Sequence, residues 1–279
     1  MHAVLRPRRL LLALGVVAAS LGLAGTASAS VPGIERVTAS TGTDSFSPKL
    51  TSALCPAGKQ VVGVGAEIVG GLGEVAITQV YPSNDLRRVF VQAEEDADGS
   101  SRSWRVDAYA MCANQIAGSH VVKGIRTSAL DDKTARAQCP AGEKIMSVGG
   151  FISGAGTGRA SLTGLTYASS SIGDVRAQER PPGTTSTWSV EAIAICAPPL
   201  PGQVLGTKFS VSDSNAKERG IGCPPGKNLL GGGAAVTLGL GEVVLDDLRP
   251  SPTGFTAFGR EDQDGFAGNW FLEASAICA

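Results

Sequence analysis

The chain has 279 residues, 43% hydrophobic and 18% charged, with 37 Gly, six Cys, two His and a formal net charge of −1. That charge excludes the strongly basic surface with which a general nucleic-acid binder displaces counterions. Only His120 lies outside the N-terminal segment considered next, which excludes His-cluster metal sites and disfavours His-dependent acid–base chemistry.

Residues 1–29 read as a secretory signal peptide. Arg6, Arg8 and Arg9 form a basic start, residues 10–23 an apolar run too short to span a bilayer, and Ala27-Ser28-Ala29 a small-residue cleavage site. Arg8-Arg9 lacks the flanking residues of a twin-arginine signal, so ordinary secretion is expected. No later apolar stretch reaches about 18 residues, so no membrane span is expected and the protein is expected to be extracellular. Cleavage would remove three of the 24 basic residues and none of the 25 acidic ones, leaving 21 against 25 and a net charge of −4.

The remaining chain repeats itself three times. Cys55, Cys139 and Cys223 lie 84 residues apart and open CPAGKQVVGVGA, CPAGEKIMSVGG and CPPGKNLLGGGA. Each unit closes on a Trp-led phrase: WRVDAYAMCA from Trp104, WSVEAIAICA from Trp188 and WFLEASAICA from Trp270. Lys49, Lys133 and Lys217 precede the opening Cys by six residues; Glu95, Glu179 and Glu261 precede the Trp by nine; Asp107, Glu191 and Glu273 follow it by three. The units run 30–115, 116–199 and 200–279, the second joint being the Pro-rich 198–202.

Within each unit the hydrophobic period is two, the mark of β-strands, and no stretch beyond residue 29 carries a helical period. Residues 61–69 and 75–81 read as two strands with the Gly-rich GLGEV segment as a hairpin between them. Five or six short antiparallel strands per unit give an all-β fold of three homologous, disulfide-stapled, β-sandwich-like units of about 84 residues. The alternative is one pseudo-threefold β-prism. Six Cys allow 15 pairings, but equivalent units should fold equivalently, which predicts Cys55–Cys112, Cys139–Cys196 and Cys223–Cys278. The CPxG opening and WxVxAxAxCA closing resemble tandem repeats in secreted actinobacterial proteins, over nearly all of the chain after residue 29. The resemblance implies export and a repeat architecture and carries over no site residue.

Candidate chemistry is sparse. The glycine clusters never complete GxGxxG and run into further strand, so they read as bulges or close backbone approaches rather than a phosphate loop. The turns Glu95-Asp96-Ala97-Asp98-Gly99 and Glu261-Asp262-Gln263-Asp264-Gly265 are equivalent, and unit two carries Arg180-Pro181-Pro182-Gly183 in their place. They read first as solvated turns, with Ca²⁺ ligation by Asp96, Asp98, Asp262 and Asp264 as the competing reading and no other cofactor expected. Lys and acids kept in all three units read as scaffold rather than as catalysts. His120 reads as a solvated linker residue, without the GxSxG of a nucleophile elbow. The three Trp fall on the inward strand face and read as core anchors.

The functional expectation is a secreted, non-catalytic binding or surface-associated repeat protein. Its partner would be carbohydrate, cell wall or another protein, with self-association as a further expectation. Contact would come from the loops that differ among units, 81–88, 167–174 and 249–255, through Tyr81, Tyr167, Arg249 and Phe255. The rivals are a secreted carboxylate-dependent hydrolase, requiring a cleft with two spaced acids, and a self-assembling coat protein.

Overall fold

The computed structural model describes residues 1–2, 31–128 and 132–279, so the signal-peptide reading falls almost wholly outside the described residues. The rest is all-β, as expected, with six strands per unit. Unit one holds β1 (Glu35–Ser40), β2 (Lys49–Leu54), β3 (Lys59–Val69), β4 (Val75–Pro82), β5 (Arg88–Glu95) and β6 (Arg105–Asn114). Unit two holds β7 (His120–Ser128), β8 (Lys133–Gln138), β9 (Lys144–Ser153), β10 (Ala160–Ser169), β11 (Ile172–Glu179) and β12 (Trp188–Ala197). Unit three holds β13 (Val204–Phe209), β14 (Lys217–Gly222), β15 (Leu229–Thr237), β16 (Val243–Ser251), β17 (Gly254–Glu261) and β18 (Phe271–Cys278). Alternation drives the elements: β8 switches between buried and exposed at every residue, placing Ala135 and Ala137 in the core.

Strand order decides between separate sandwiches and a shared arrangement. Sheet I runs β1-β6-β3-β16-β17-β14, sheet II β2-β5-β4-β9-β12-β7 and sheet III β13-β18-β15-β10-β11-β8. Every sheet takes three strands from one unit and three from another, and the exchange closes cyclically. The three stapled units therefore share their sheets about a pseudo-threefold axis. At each seam the third strand of one unit pairs with the fourth of a neighbour over a short register: Glu67 with Asp247, Phe151 with Gln79, and Ala235 with Gly164.

Sharing corrects one local expectation. The GLGEV segment is not a hairpin, because β3 lies in sheet I and β4 in sheet II. Gly70, Leu72 and Gly73 take positive φ of 93°, 51° and 98°, which swings the chain sideways across a corner between sheets rather than reversing it within one. The true hairpins are β4–β5, β10–β11 and β16–β17, each carrying a bulge.

The recurring glycines have a steric cause at the seams. A Cβ on Gly65, Gly149 or Gly233 would lie 2.4, 2.4 or 2.3 Å from the carbonyl oxygen of Leu248, Val80 or Leu165 on the neighbouring unit's fourth strand. Nothing larger than hydrogen fits against a backbone atom at that distance. Inside, one continuous core holds Trp104, Trp188 and Trp270, all fully buried. The disulfides form as predicted, Cys55–Cys112, Cys139–Cys196 and Cys223–Cys278, with Cα separations of 5.7, 5.6 and 5.7 Å.

Candidate functional site

The residues kept in all three units build scaffold. Each Trp indole N–H donates to the Glu nine residues earlier: Trp104 to Glu95 at 2.7 Å, Trp188 to Glu179 and Trp270 to Glu261 at 3.0 Å. The other oxygen of the same Glu accepts the backbone N–H of Ser100, Thr184 or Phe266, pinning the turn. Over each indole lies the recurring lysine, with Nζ of Lys49, Lys133 and Lys217 at 4.9, 3.3 and 3.8 Å from the ring centroid. These groups are engaged in holding the units together.

What differs is the outer face at each seam. Where Tyr81, Thr166 and Arg249 occupy equivalent strand positions, their hairpin partners are Phe90, Asp174 and Thr256. On sheet II, Tyr81 stacks on Phe90 (5.4 Å between centroids, 30°) and meets Phe151 edge-on (5.4 Å, 86°), all three rings half-buried. Around them lie the amides of Gln79 and Gln92, the latter donating to Glu94 at 2.6 Å, and the ion pair Lys123–Glu191 at 3.5 Å. Leu50, Leu54 and Ile125 on the same sheet are 60, 45 and 68% exposed.

Sheet I carries charge in the same place. Arg249 reaches Glu218, Asp247 and Glu67 at 3.2, 3.4 and 3.9 Å, and Arg260 meets Asp246 at 2.9 Å. Tyr109 donates to Glu67 beneath Arg36, whose guanidinium lies 4.8 Å from the ring. Burial pushes Asp246 up to about 6, and burial with the Asp246 charge pushes Asp247 up to about 7. Glu67, Glu218, Asp246, Asp247, Arg249 and Arg260 line an open depression of about 300 Å³. Sheet III has Gly164 and Ala235 at the seam, flanked by Arg176 and Glu273, with the Arg136–Asp174 pair (2.7 Å) beside them.

Of the four expected contact residues, Tyr81 and Arg249 lie at these faces. Tyr167 and Phe255 do not. Tyr167 is one residue past the outward position, so it turns into the core and donates to the Gly232 carbonyl at 3.1 Å. Phe255 pairs with inward-facing Pro250 and covers Gly232. Glu67, Asp246, Asp247 and Phe151 are absent from the sequence expectation. Comparing the fourth strands position by position would have found the two Asp, because units one and two have Thr78-Gln79 and Thr163-Gly164 there.

The acidic turns do not stay apart. Asp96, Arg180 and Asp262 are equivalent, each donating its backbone N–H to the corner residue Glu74, Arg159 or Glu242 of its own unit. Arg180 is 2% exposed; its Nη2 donates to the Gly73 carbonyl at 3.2 Å and lies 3.5 Å from Asp96 Oδ2. Unit two thus supplies a cation among the acids of its neighbours. Asp262 and Asp264 belong to the same end of the molecule, but only Glu74, Asp96 and Asp98 converge closely among the described residues. His120 accompanies Glu143 at 3.6 Å on a half-exposed edge. No helix of the described residues is long and apolar enough to cross a membrane. No protein-family model matches the chain, and no curated protein matches it.

Proposed function

We propose that this is an exported, non-catalytic binding protein that holds its ligand on the outer sheet faces at the unit seams, the aromatic face of sheet II first among them. One observation carries the reading: the interior repeats closely in type, while the outer seam pairs Gln79–Phe151, Gly164–Ala235 and Asp247–Glu67 differ in chemistry. Scaffold explains the former and not the latter. The half-buried Tyr81, Phe90 and Phe151 rings lie beside Gln79, Gln92 and Glu94. That combination suits a saccharide, whose C–H faces stack on rings while its hydroxyls bond to amides and carboxylates. Exposed apolar side chains around it favour an interface over plain surface. Three disulfides are consistent with an oxidising exterior, and cell-wall glycan is the saccharide proposed.

The test is retention of the purified protein on insoluble cell-wall glycan. Tyr81→Ala and Phe151→Ala should each cut retention roughly fivefold, as stacking contacts of about 1 kcal/mol are lost. Retention unchanged in both variants overturns the assignment to this face, and retention of the parent on protein but not on glycan replaces the ligand class. Hydrolysis by carboxylates finds support in the raised Asp246 and Asp247. Those two, however, are neighbours on one strand, each facing an arginine, whereas acids that flank a glycosidic bond stand about 5–9 Å apart across it.

A further inference from the structure

The end of the pseudo-threefold axis gathers six carboxylates around two arginines of unit two, the buried Arg180 and Arg159, which takes the place of Glu74 and Glu242. Glu74, Asp96 and Asp98 come from unit one, Glu242, Asp262 and Asp264 from the equivalent places in unit three, and Arg180 stands between Asp96 and Asp262. Two features mark the unit-one group off from its counterpart. One carboxylate oxygen from each of Glu74, Asp96 and Asp98 lies within 4.8 Å of the other two. Glu74 is also only 5% exposed, and its Oε2 meets no hydrogen-bond donor. A buried carboxylate oxygen without a donor, aimed at two further carboxylates, is costly unless a cation joins them.

We propose that Glu74, Asp96 and Asp98 form a Ca²⁺ site at this end of the molecule. Oxygens bound to one Ca²⁺ at 2.3–2.6 Å can stand up to roughly 5 Å apart, which the observed spacing satisfies. Mg²⁺ demands a smaller and stricter octahedron. The site opens to solvent on the Glu74 side: a cleft of about 500 Å³ is lined by Glu74, Gly99, Ser100, Ser101, Arg102 and Gln263, so water and hydroxyl oxygens can complete a coordination shell that three carboxylates begin. Arg180 does not fill it. Its Nη2 faces Asp96 Oδ2 and the Gly73 carbonyl, while Asp98 takes its hydrogen bond from Gln263 at 3.1 Å. The guanidinium offsets the Asp96–Asp262 pair and leaves Glu74 and Asp98 to the ion.

Calorimetric titration of the disulfide-bonded protein with CaCl₂ tests this, alongside Tb³⁺ luminescence excited through tryptophan, since Trp104 bonds to Glu95 beside Asp96. The expected affinity is roughly 0.1–1 mM, the range of extracellular Ca²⁺ modules. Glu74→Gln and Asp98→Asn should each weaken it at least tenfold, while Asp264→Asn in the equivalent turn leaves it unchanged. Asp98 is exposed, so its variant keeps the test decisive if the buried Glu74 substitution fails to fold. Three results overturn the proposal: no Ca²⁺ heat and no Tb³⁺ signal in the parent, undiminished affinity in folded Asp98→Asn, or an equal loss in Asp264→Asn.

Discussion

At the scale of single residues, the glutamate of each closing turn does two jobs with one carboxylate. Glu95 accepts from the Trp104 indole at 2.7 Å and from the Ser100 backbone at 3.2 Å. Glu95→Ala leaves both donors without their acceptor and should lower unfolding stability by about 2–4 kcal/mol in urea titrations, given charged hydrogen bonds of about 1.5–3 kcal/mol each and partial relaxation. A loss below about 0.5 kcal/mol would show that the turn is held by something else. The acids of sheet I act in the opposite sense. Asp246 and Asp247 rise from 3.8 to about 6 and about 7, chiefly through burial. In the folded chain they keep protons that the unfolded chain has released, so stability should fall as pH rises between about 4 and 7. Glu74 and Asp96 shift the same way, so Asp247→Asn should make that fall shallower without abolishing it. An unchanged slope of stability against pH would remove Asp247 from the account.

At the scale of elements, the seams set the tolerance. Gly149 sits 2.4 Å, measured from where a Cβ would be, from the Val80 carbonyl, and a backbone atom cannot rotate away. Gly149→Ala should therefore cost several kcal/mol, well beyond the roughly 1 kcal/mol typical of point changes, as a drop in melting temperature would show. The strands, their inward faces and the disulfides were legible in the sequence because each is written three times in register. Pairing across seams was not. Alternation says which way a side chain points and nothing about which strand lies alongside, so Val75 reads equally well as hairpin partner or corner neighbour of Val69. Register was the other gap. Thr166 and Tyr167 are consecutive in β10 and face opposite ways, so a one-residue slip in aligning the units exchanges faces. Of the four aromatic and basic residues expected to make contact, those at the outward register reached the surface and those one step beyond did not. The Ca²⁺ expectation named Asp96, Asp98, Asp262 and Asp264 by their turns, and the cluster proposed above keeps only the first two. It missed Glu74, which lies 22 residues before Asp96 in sequence and enters only through the corner.

At the scale of the molecule, no unit owns a complete sheet. Residues 30–115 alone would present the open edges of β3 and β4, whose partners β16 and β9 belong to other units. That piece should show neither cooperative melting nor dispersed amide resonances, even with Cys55–Cys112 formed. A sharp two-state transition in the isolated piece would refute the dependence. The cyclic exchange also resembles the closed ring of a trimer joined into one chain, with each heterologous contact repeated until it closes.

Asn228 gives that closure a practical reach. Its side chain donates to the Val31 carbonyl at 3.3 Å and its backbone N–H to the Ala279 carbonyl at 2.9 Å, so residues 31 and 279 meet at one point. Connecting them through a short Gly/Ser bridge and opening the chain in the proline joint at 198–202 would reorder the units without breaking a seam. Such a circular permutant should keep all three disulfides and melt within a few degrees of the parent, as termini that lie close together generally permit. In a ring of equivalent seams, the place where translation begins is a matter of history rather than of architecture.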